Sequence, residues 1–218
     1  MATVHDLAWR RHPEASTFRG RRMFEHWLSD ARRADLVTCP SEATKRELVE
    51  AGFNEERLRI VPLGVRADRA VLPEAEVAVR SVLRQHRVDG PFVLWVGTVE
   101  PRKNLRALVS AMEMVSALGE VPLVLVGPTG WATDIRRITA PLGKRAVVLG
   151  SVPDSEREAW MAAATVFCLP SLHEGFGLPV LEAMAAGTPV VTSAGTATEE
   201  VVGEAGLVVD PTDSGAIG

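Results

Sequence analysis

Two carboxylates, Glu174 and Glu182, stand eight positions apart in the run "HEGFGLPVLE". Carboxylates accept hydrogen bonds from hydroxyls in pairs. Between them, Gly175 and Gly177 permit backbone conformations closed to other residues and let a ligand approach the main chain. Leu178 and Pro179 read as the opening of a helix, where proline fits the first turn because its missing amide costs no hydrogen bond. The free amides of such a helix start point outward at an anion. Glu182 falls about one helical turn beyond Pro179, so its side chain stays near the same helix end while Glu174 sits across the loop. Two acceptors flanking a bed of donors suit a ligand with hydroxyls at both ends and phosphate between, as in a nucleotide sugar. Taken as isolated residues, the alternative is a helix-capping Glu174 and a solvated Glu182.

A second candidate loop, "TVEPRKN", follows the apolar run "FVLWVG", with Gly97 and Thr98 at the strand end and Arg102 and Lys103 just beyond. A helix is expected from Asn104 to Leu118. Two cations beside free helix amides would hold a di-anionic phosphate; the plainer alternative is a solvated basic pair. The sequence contains no Asp-X-Asp triplet, so metal assistance is not expected and no metal ligands are assigned.

These loops need a frame. The 218 residues are 46% hydrophobic with a net charge of −4, enough apolar material for one or two cores and too mild a charge for a nucleic-acid partner. The longest apolar runs are strand-length, far short of the roughly 20 residues of a membrane span, and "MATVHDLAWRRHPE" lacks the apolar stretch of a secretory signal. Cys39 and Cys168 each sit in a strand-like run and read as reduced, buried thiols of a cytosolic protein. The first third is slightly basic and the remainder acidic. Within it, Arg10, Arg11, Arg19, Arg21, Arg22, Arg32 and Arg33 are interleaved with Trp9, Phe18, Phe24 and Trp27. Such a segment suits peripheral contact with anionic lipid at the inner face of the cell membrane. An amphipathic helix with its apolar side packed inward is the reading the pattern favours.

Strand-like runs at "LVTCP", "LRIVPL", "FVLWVG", "PLVLVG", "AVVLG", "TVFCLP" and "PVVTS" alternate with helical stretches, which argues for a parallel sheet with helices on both faces. Ser41 and Asp154 precede helices as candidate N-caps. Residues 68–90, free of strand character and with a proline near the start, read as a linker and lead-in helix. Residues 91–218 suffice for one doubly wound unit, and residues 1–67 are too few for a comparable one. In such sheets ligands lie beyond the carboxyl ends of the strands, which is where both loops fall.

At this point the sequence resembles the family 4 glycosyltransferases, α/β proteins of the two-domain GT-B fold. The resemblance rests on the E-x7-E pattern of Glu174 and Glu182 with "GFGLP" between and "EAMAAGTPVV" after. It extends to "GTVEPRKN", "LVLVGPTGW", "VLGSVPD", "EEVVGEAGLVVDP" and, upstream, "TVHDLAW", "CPSEATKRELVEAGF" and "IVPLGV". It implies a doubly wound C-terminal donor domain at 91–218 lacking its last helix, preceded by a partial N-terminal acceptor domain at 1–67. It implies a retaining, metal-independent hexosyltransferase of polysaccharide biosynthesis without a cofactor. The donor would be a GDP- or UDP-linked sugar and the acceptor a glycan or lipid-linked chain.

Residue by residue, the resemblance places Glu174 at the donor sugar, stabilising charge at the anomeric carbon, and Glu182 on the ribose hydroxyls. Arg102 and Lys103 would neutralise the diphosphate, and the amides of Phe176, Gly177 and Leu178 would add donors. The loop at Val152 and Pro153 would meet the base. His5 matches a histidine facing the cleft, with a packed core histidine as the equal alternative. Thr98 stands where many relatives have arginine. A nucleotide-sugar-binding domain without transfer is the second hypothesis and an epimerase on the same fold the third, disfavoured by the E-x7-E stretch.

Overall fold

The computed structural model describes residues 1–65, 73–88, 90–114, 120–130 and 134–218. Residues 68–72 and 89 of the expected linker, and 115–118 of the expected helix after Asn104, lie outside them.

Two parallel sheets organise the chain. The smaller has three strands, β1 (Ala2–Thr3), β2 (Val37–Cys39) and β3 (Leu58–Ile60), side by side in that order. Its helices are α1 (Ala8–Arg11), α2 (Phe18–Ala31) and α3 (Glu42–Glu50). Val4, Leu7, Leu28, Val37, Leu48, Phe53 and Leu58 form its core. As expected, Ser41 caps α3, its hydroxyl accepting from the Thr44 amide at 3.1 Å.

The larger sheet has six strands: β4 (Val93–Val96), β5 (Leu123–Val126), β6 (Ala146–Gly150), β7 (Val166–Leu169), β8 (Val190–Ser193) and β9 (Leu207–Val209). They lie in the order β6-β5-β4-β7-β8-β9, all parallel. The chain enters at β4, winds outward to β6, returns to lay β7 against the free side of β4, then winds the other way. Such reversals open a crevice beyond the strand ends, here between β4 and β7. Helices α4 (Pro73–Gln85), α5 (Leu105–Met114), α6 (Ile135–Thr139), α7 (Asp154–Ala163), α8 (Leu178–Ala185), α9 (Ala197–Val202) and α10 (Ser214–Ile217) complete the unit.

Burial explains why these runs form strands. All four residues of β4 and all four of β5 are buried, the continuous apolar pattern of strands covered on both faces. The edge strands are partly exposed: Leu207 of β9 keeps 67% of its surface. β1 and β9, two and three residues long, are the strands the hydrophobic pattern does not announce. Helix α4 buries Ala75 and Val79 in the core of the larger sheet.

Three local expectations are corrected. Asp154 does not cap α7; it is the first helical residue, Pro153 holds the cap position, and the carboxylate pairs with Arg157 at 3.0 Å. Asn104 does not open α5; it sits at φ 54°, closing the 3₁₀ turn Pro101–Lys103. The apolar side of α2 is packed inward only in part: Leu28 and Ala31 join the core, while Phe18, Met23 and Trp27 are exposed. Cys39 and Cys168 are both free and buried, and burial pushes the Cys168 thiol up to about 12. Among the described residues, no helix is long and apolar enough to cross a membrane.

Leu94, fully buried in β4, tests the central role of that strand. Leu94→Ala should destabilise the fold by about 3 kcal/mol, the usual cost of a core cavity, read as a lower urea midpoint with an unchanged slope.

Candidate functional site

The loops that leave β4 and β7 meet at the reversal of strand order. After β4 the chain passes Gly97 and Thr98 and turns through Pro101–Lys103; after β7 it runs from Ser171 to Gly177. The two loops are stitched by their backbones, the Leu172 amide donating to the Arg102 carbonyl at 2.7 Å. Asn104, in its left-handed conformation, anchors the first loop by donating from Nδ2 to the Pro211 carbonyl at 2.7 Å.

On this frame the structure brings together Arg102, Lys103 and Glu174. Lys103 Nζ lies 2.6 Å from Glu174 Oε1, and Arg102 Nη1 lies 3.2 Å from Oε2. The guanidinium also donates to the His173 carbonyl at 3.0 Å, and its Nη2 pairs with Glu100 at 2.7 Å. Glu174 is 7% exposed, and so is Lys103. A carboxylate taken out of water tends to protonate unless cations compensate the lost hydration. Burial pushes the Glu174 carboxyl up, but Lys103 and Arg102 outweigh it and hold the group below its ordinary value of 4.5. For Arg102, burial works against the charge, and Glu174, Glu100 and Asp6 outweigh it, raising the guanidinium above its ordinary value.

The two glycines of this loop are required by contact. A Cβ on Gly175 would lie 2.0 Å from the His5 carbonyl oxygen, and one on Gly177 2.4 Å from the Thr198 methyl, where φ is also +99°. Gly177 occupies the cap position of α8, with Pro179 in the first turn as expected. The bare backbone at Gly175 lets the smaller unit dock: Ser41 Oγ and Thr44 Oγ1 both donate to the Gly175 carbonyl, at 2.7 and 3.1 Å. On the next helix, the Glu200 carboxylate accepts from the Glu42 and Ala43 amides at 2.8 and 2.7 Å.

The remaining expected residues are placed as follows. Glu182 is not in the Glu174 cluster; its Oε1 accepts from Arg157 Nη2 at 3.1 Å. Val152 and Pro153 lie in the turn between β6 and α7, just before the helix that carries Arg157. Gly97 closes β4 with its amide donated to the Val126 carbonyl at 2.9 Å, and Thr98 is exposed beside it. Phe176 faces a cavity of about 550 Å³ lined also by Ile60, Pro62, Leu63 and Leu181, while Leu178 is partly exposed at the helix start. His5 is no core histidine: it is exposed on a groove of about 820 Å³ shared with Trp9, Phe24 and Trp27. Two participants escape the sequence patterns. Arg157 is 25 positions from Glu182, and Glu100 resembles any surface acid in a turn.

Chemically, the crevice offers one buried carboxylate, two cations held against it, and loop backbone at a helix start. Charge separation in a bound molecule would find compensation for both signs within one cluster.

The sequence pattern described as "Glycosyl transferases group 1" matches residues 90–218, and that of "Glycosyltransferase Family 4" matches residues 1–69. O-antigen chain mannosyltransferase B of Escherichia coli is 36% identical over the whole of this chain, which spans 58% of that protein. The MMP alpha-(1->4)-mannosyltransferase of Mycolicibacterium hassiacum is 34% identical over 82% of this chain and 42% of its own length. Among solved structures, Anabaena HepE in complex with UDP and glucose superposes with a TM-score of 0.80 at 23% identity, covering 98% of this chain and 58% of that one. Sucrose-phosphate synthase of Thermosynechococcus elongatus gives a TM-score of 0.78 at 28% identity, covering 98% and 55%.

The ion cluster makes stability depend on pH with a definite sign. Because the folded-state pKa of Glu174 is depressed, its contribution is full above the ordinary carboxylate pKa. That contribution is lost as the pH falls below about 4.5 and through the folded value. The urea midpoint should therefore fall on acidification through this window, and Glu174→Gln should flatten that slope; an unchanged slope would contradict the charge assignment.

Proposed function

The chain belongs to the group 1 glycosyl transferases, and we propose that it is the donor-binding part of a retaining hexosyltransferase. A mannose or glucose unit would pass from a GDP- or UDP-linked sugar to a glycan or lipid-linked acceptor. The observation that carries this reading is the Arg102–Lys103–Glu174 cluster in the crevice between β4 and β7. The mannosyltransferase names of the relatives support mannose in this reading.

When the bond between the anomeric carbon and the diphosphate lengthens, positive charge builds on the sugar and negative charge on the leaving oxygen. In the proposed site Glu174 faces the first and Arg102 and Lys103 face the second, each fixed donor contributing about 3 kcal/mol to the transition state. The leaving phosphate oxygen takes the acceptor proton. The two cations fill the place that a divalent metal takes in other transferases. Glu182, oriented by Arg157, holds the ribose hydroxyls, with the base over Val152 and Pro153 and His5 at the sugar side. The amides from Phe176 to Leu178 complete the bed. Residues 1–67 contribute to the acceptor side.

Binding of a nucleotide sugar without transfer is the second reading. The proposed location is cytoplasmic, with α2 resting on the anionic inner face of the membrane. Supporting this, Phe18, Met23 and Trp27 are exposed on a helix whose Arg19 and Arg22 are also exposed.

Calorimetry against GDP-mannose and UDP-glucose should show saturable binding of at least one donor, unaffected by EDTA. Glu182→Ala should weaken it about tenfold, the loss of one charge-assisted hydrogen bond. Glu174→Ala should keep donor affinity and abolish transfer in a chain of the relatives' length. Binding to no donor would remove both readings, and binding without turnover in that longer chain would select the second.

Co-sedimentation with phosphatidylglycerol vesicles should exceed that with phosphatidylcholine, weaken with salt, and fall on Trp27→Ala. Equal recovery with both lipids would refute the membrane contact.

A further inference from the structure

Between α3 of the smaller unit and the loop after β7 lies a second, half-buried carboxylate, Glu47. Its Oε1 is 2.9 Å from His173 Nε2 and 3.4 Å from Arg11 Nε. A carboxylate only accepts, so the ring donates from Nε2. Burial pushes the Glu47 carboxyl up, and His173 with Arg11 more than reverses it. His173 precedes Glu174, and its carbonyl accepts from the same Arg102 Nη1 that reaches Glu174. Both second atoms, His173 Nδ1 and Glu47 Oε2, are buried without a hydrogen-bond partner among the described residues. The ring's one hydrogen bond among the described residues is therefore made across the boundary between the two units, beside an edge-on contact with the His12 ring at 6.0 Å.

We infer that Glu47 is a positioning residue: by holding the His173 ring from the smaller unit, it fixes the His173 carbonyl, and through it Arg102, in the geometry that meets Glu174. The connection runs α3, Glu47, His173, Arg102, Glu174, with each side-chain link a contact of hydrogen-bond length. Glu200 also joins the units, through the amides at the start of α3, but it contacts none of Glu47, His173, Arg102 and Glu174. It separates a positioning effect from loss of docking. The functional meaning of the inference rests on the donor-site reading above, while its physical content does not.

The test follows the Glu174 carboxyl carbon by NMR in protein labelled with ¹³C-glutamate, the signal being assigned by its disappearance in Glu174→Gln. In Glu47→Ala the Glu174 titration should move up by about one pH unit, the scale on which a neighbouring cation shifts a carboxylate. Glu47→Gln, whose amide oxygen still accepts from Nε2, should restore the wild-type curve, and Glu200→Ala should leave it unchanged. A Glu174 titration unmoved by Glu47→Ala, or moved equally by Glu200→Ala, overturns the inference. If Glu47→Ala does not fold, Glu47→Asp, which keeps the charge but withdraws it from the ring, carries the same two outcomes. Since no nucleotide is needed, failure to bind any donor would sink the donor reading and leave this result standing. An unmoved titration alongside intact GDP-mannose binding would do the reverse.

Discussion

A carboxylate with almost no access to water has to be answered by cations, and that constraint on Glu174 organises the centre of the molecule. Lys103 and Arg102 come from a loop 71 and 72 residues away, brought alongside only because β7 pairs with β4. Replace that strand order by a simple sequential one and the carboxylate would be buried alone, at a cost of several kcal/mol. The topology, the two-cation loop and the buried acid are thus mutually dependent. Arg102 also binds Glu100 and the His173 carbonyl, so the loops cannot shift independently without unpairing a buried charge.

The same loop is where the smaller unit attaches. Gly175 lends its carbonyl to two hydroxyls of the α3 start while its missing side chain leaves room for the main chain at His5. One glycine therefore serves the local turn and the joint between the units. A side chain there would be met by backbone, which has little freedom to yield. This gives the run "HEGFGLP" its sequence specificity: adjacent residues answer to different neighbours, from α3, β1's end, α9 and the loop after β4.

Much of this was legible in the sequence because it is local. "FVLWVG" and "PLVLVG" read as buried strands because every residue is apolar, and the turn at Gly177–Pro179 is announced by residue types with few other uses. The parallel doubly wound sheet, the helix start at Leu178 and the Ser41 cap followed from the same logic. What stayed hidden depends on contacts at long separation or on surface left uncovered. Arg157 beside Glu182 and Glu47 beside His173 carry no local pattern, since a charged residue on a helix looks alike whether solvated or paired. The α2 helix misled in the opposite sense: its apolar spacing fits a packed face, yet Trp27 and Phe18 stand exposed. β1 and β9 are too short for any alternation to register.

The return of the chain to β4 also sets the order in which the molecule can assemble. β4, β5 and β6 follow one another in sequence and can pair as they emerge, whereas the other side of β4 stays an unpaired edge until β7 arrives about seventy residues later. Non-local pairing of this kind is slow, and an apolar central strand with one open edge is a template for other chains. A nascent or partly unfolded copy would present the run from Val93 to Val96 to its neighbours. Expression yield and aggregation should therefore respond to how quickly the second half folds back, and less to the native strength of the ion cluster it completes.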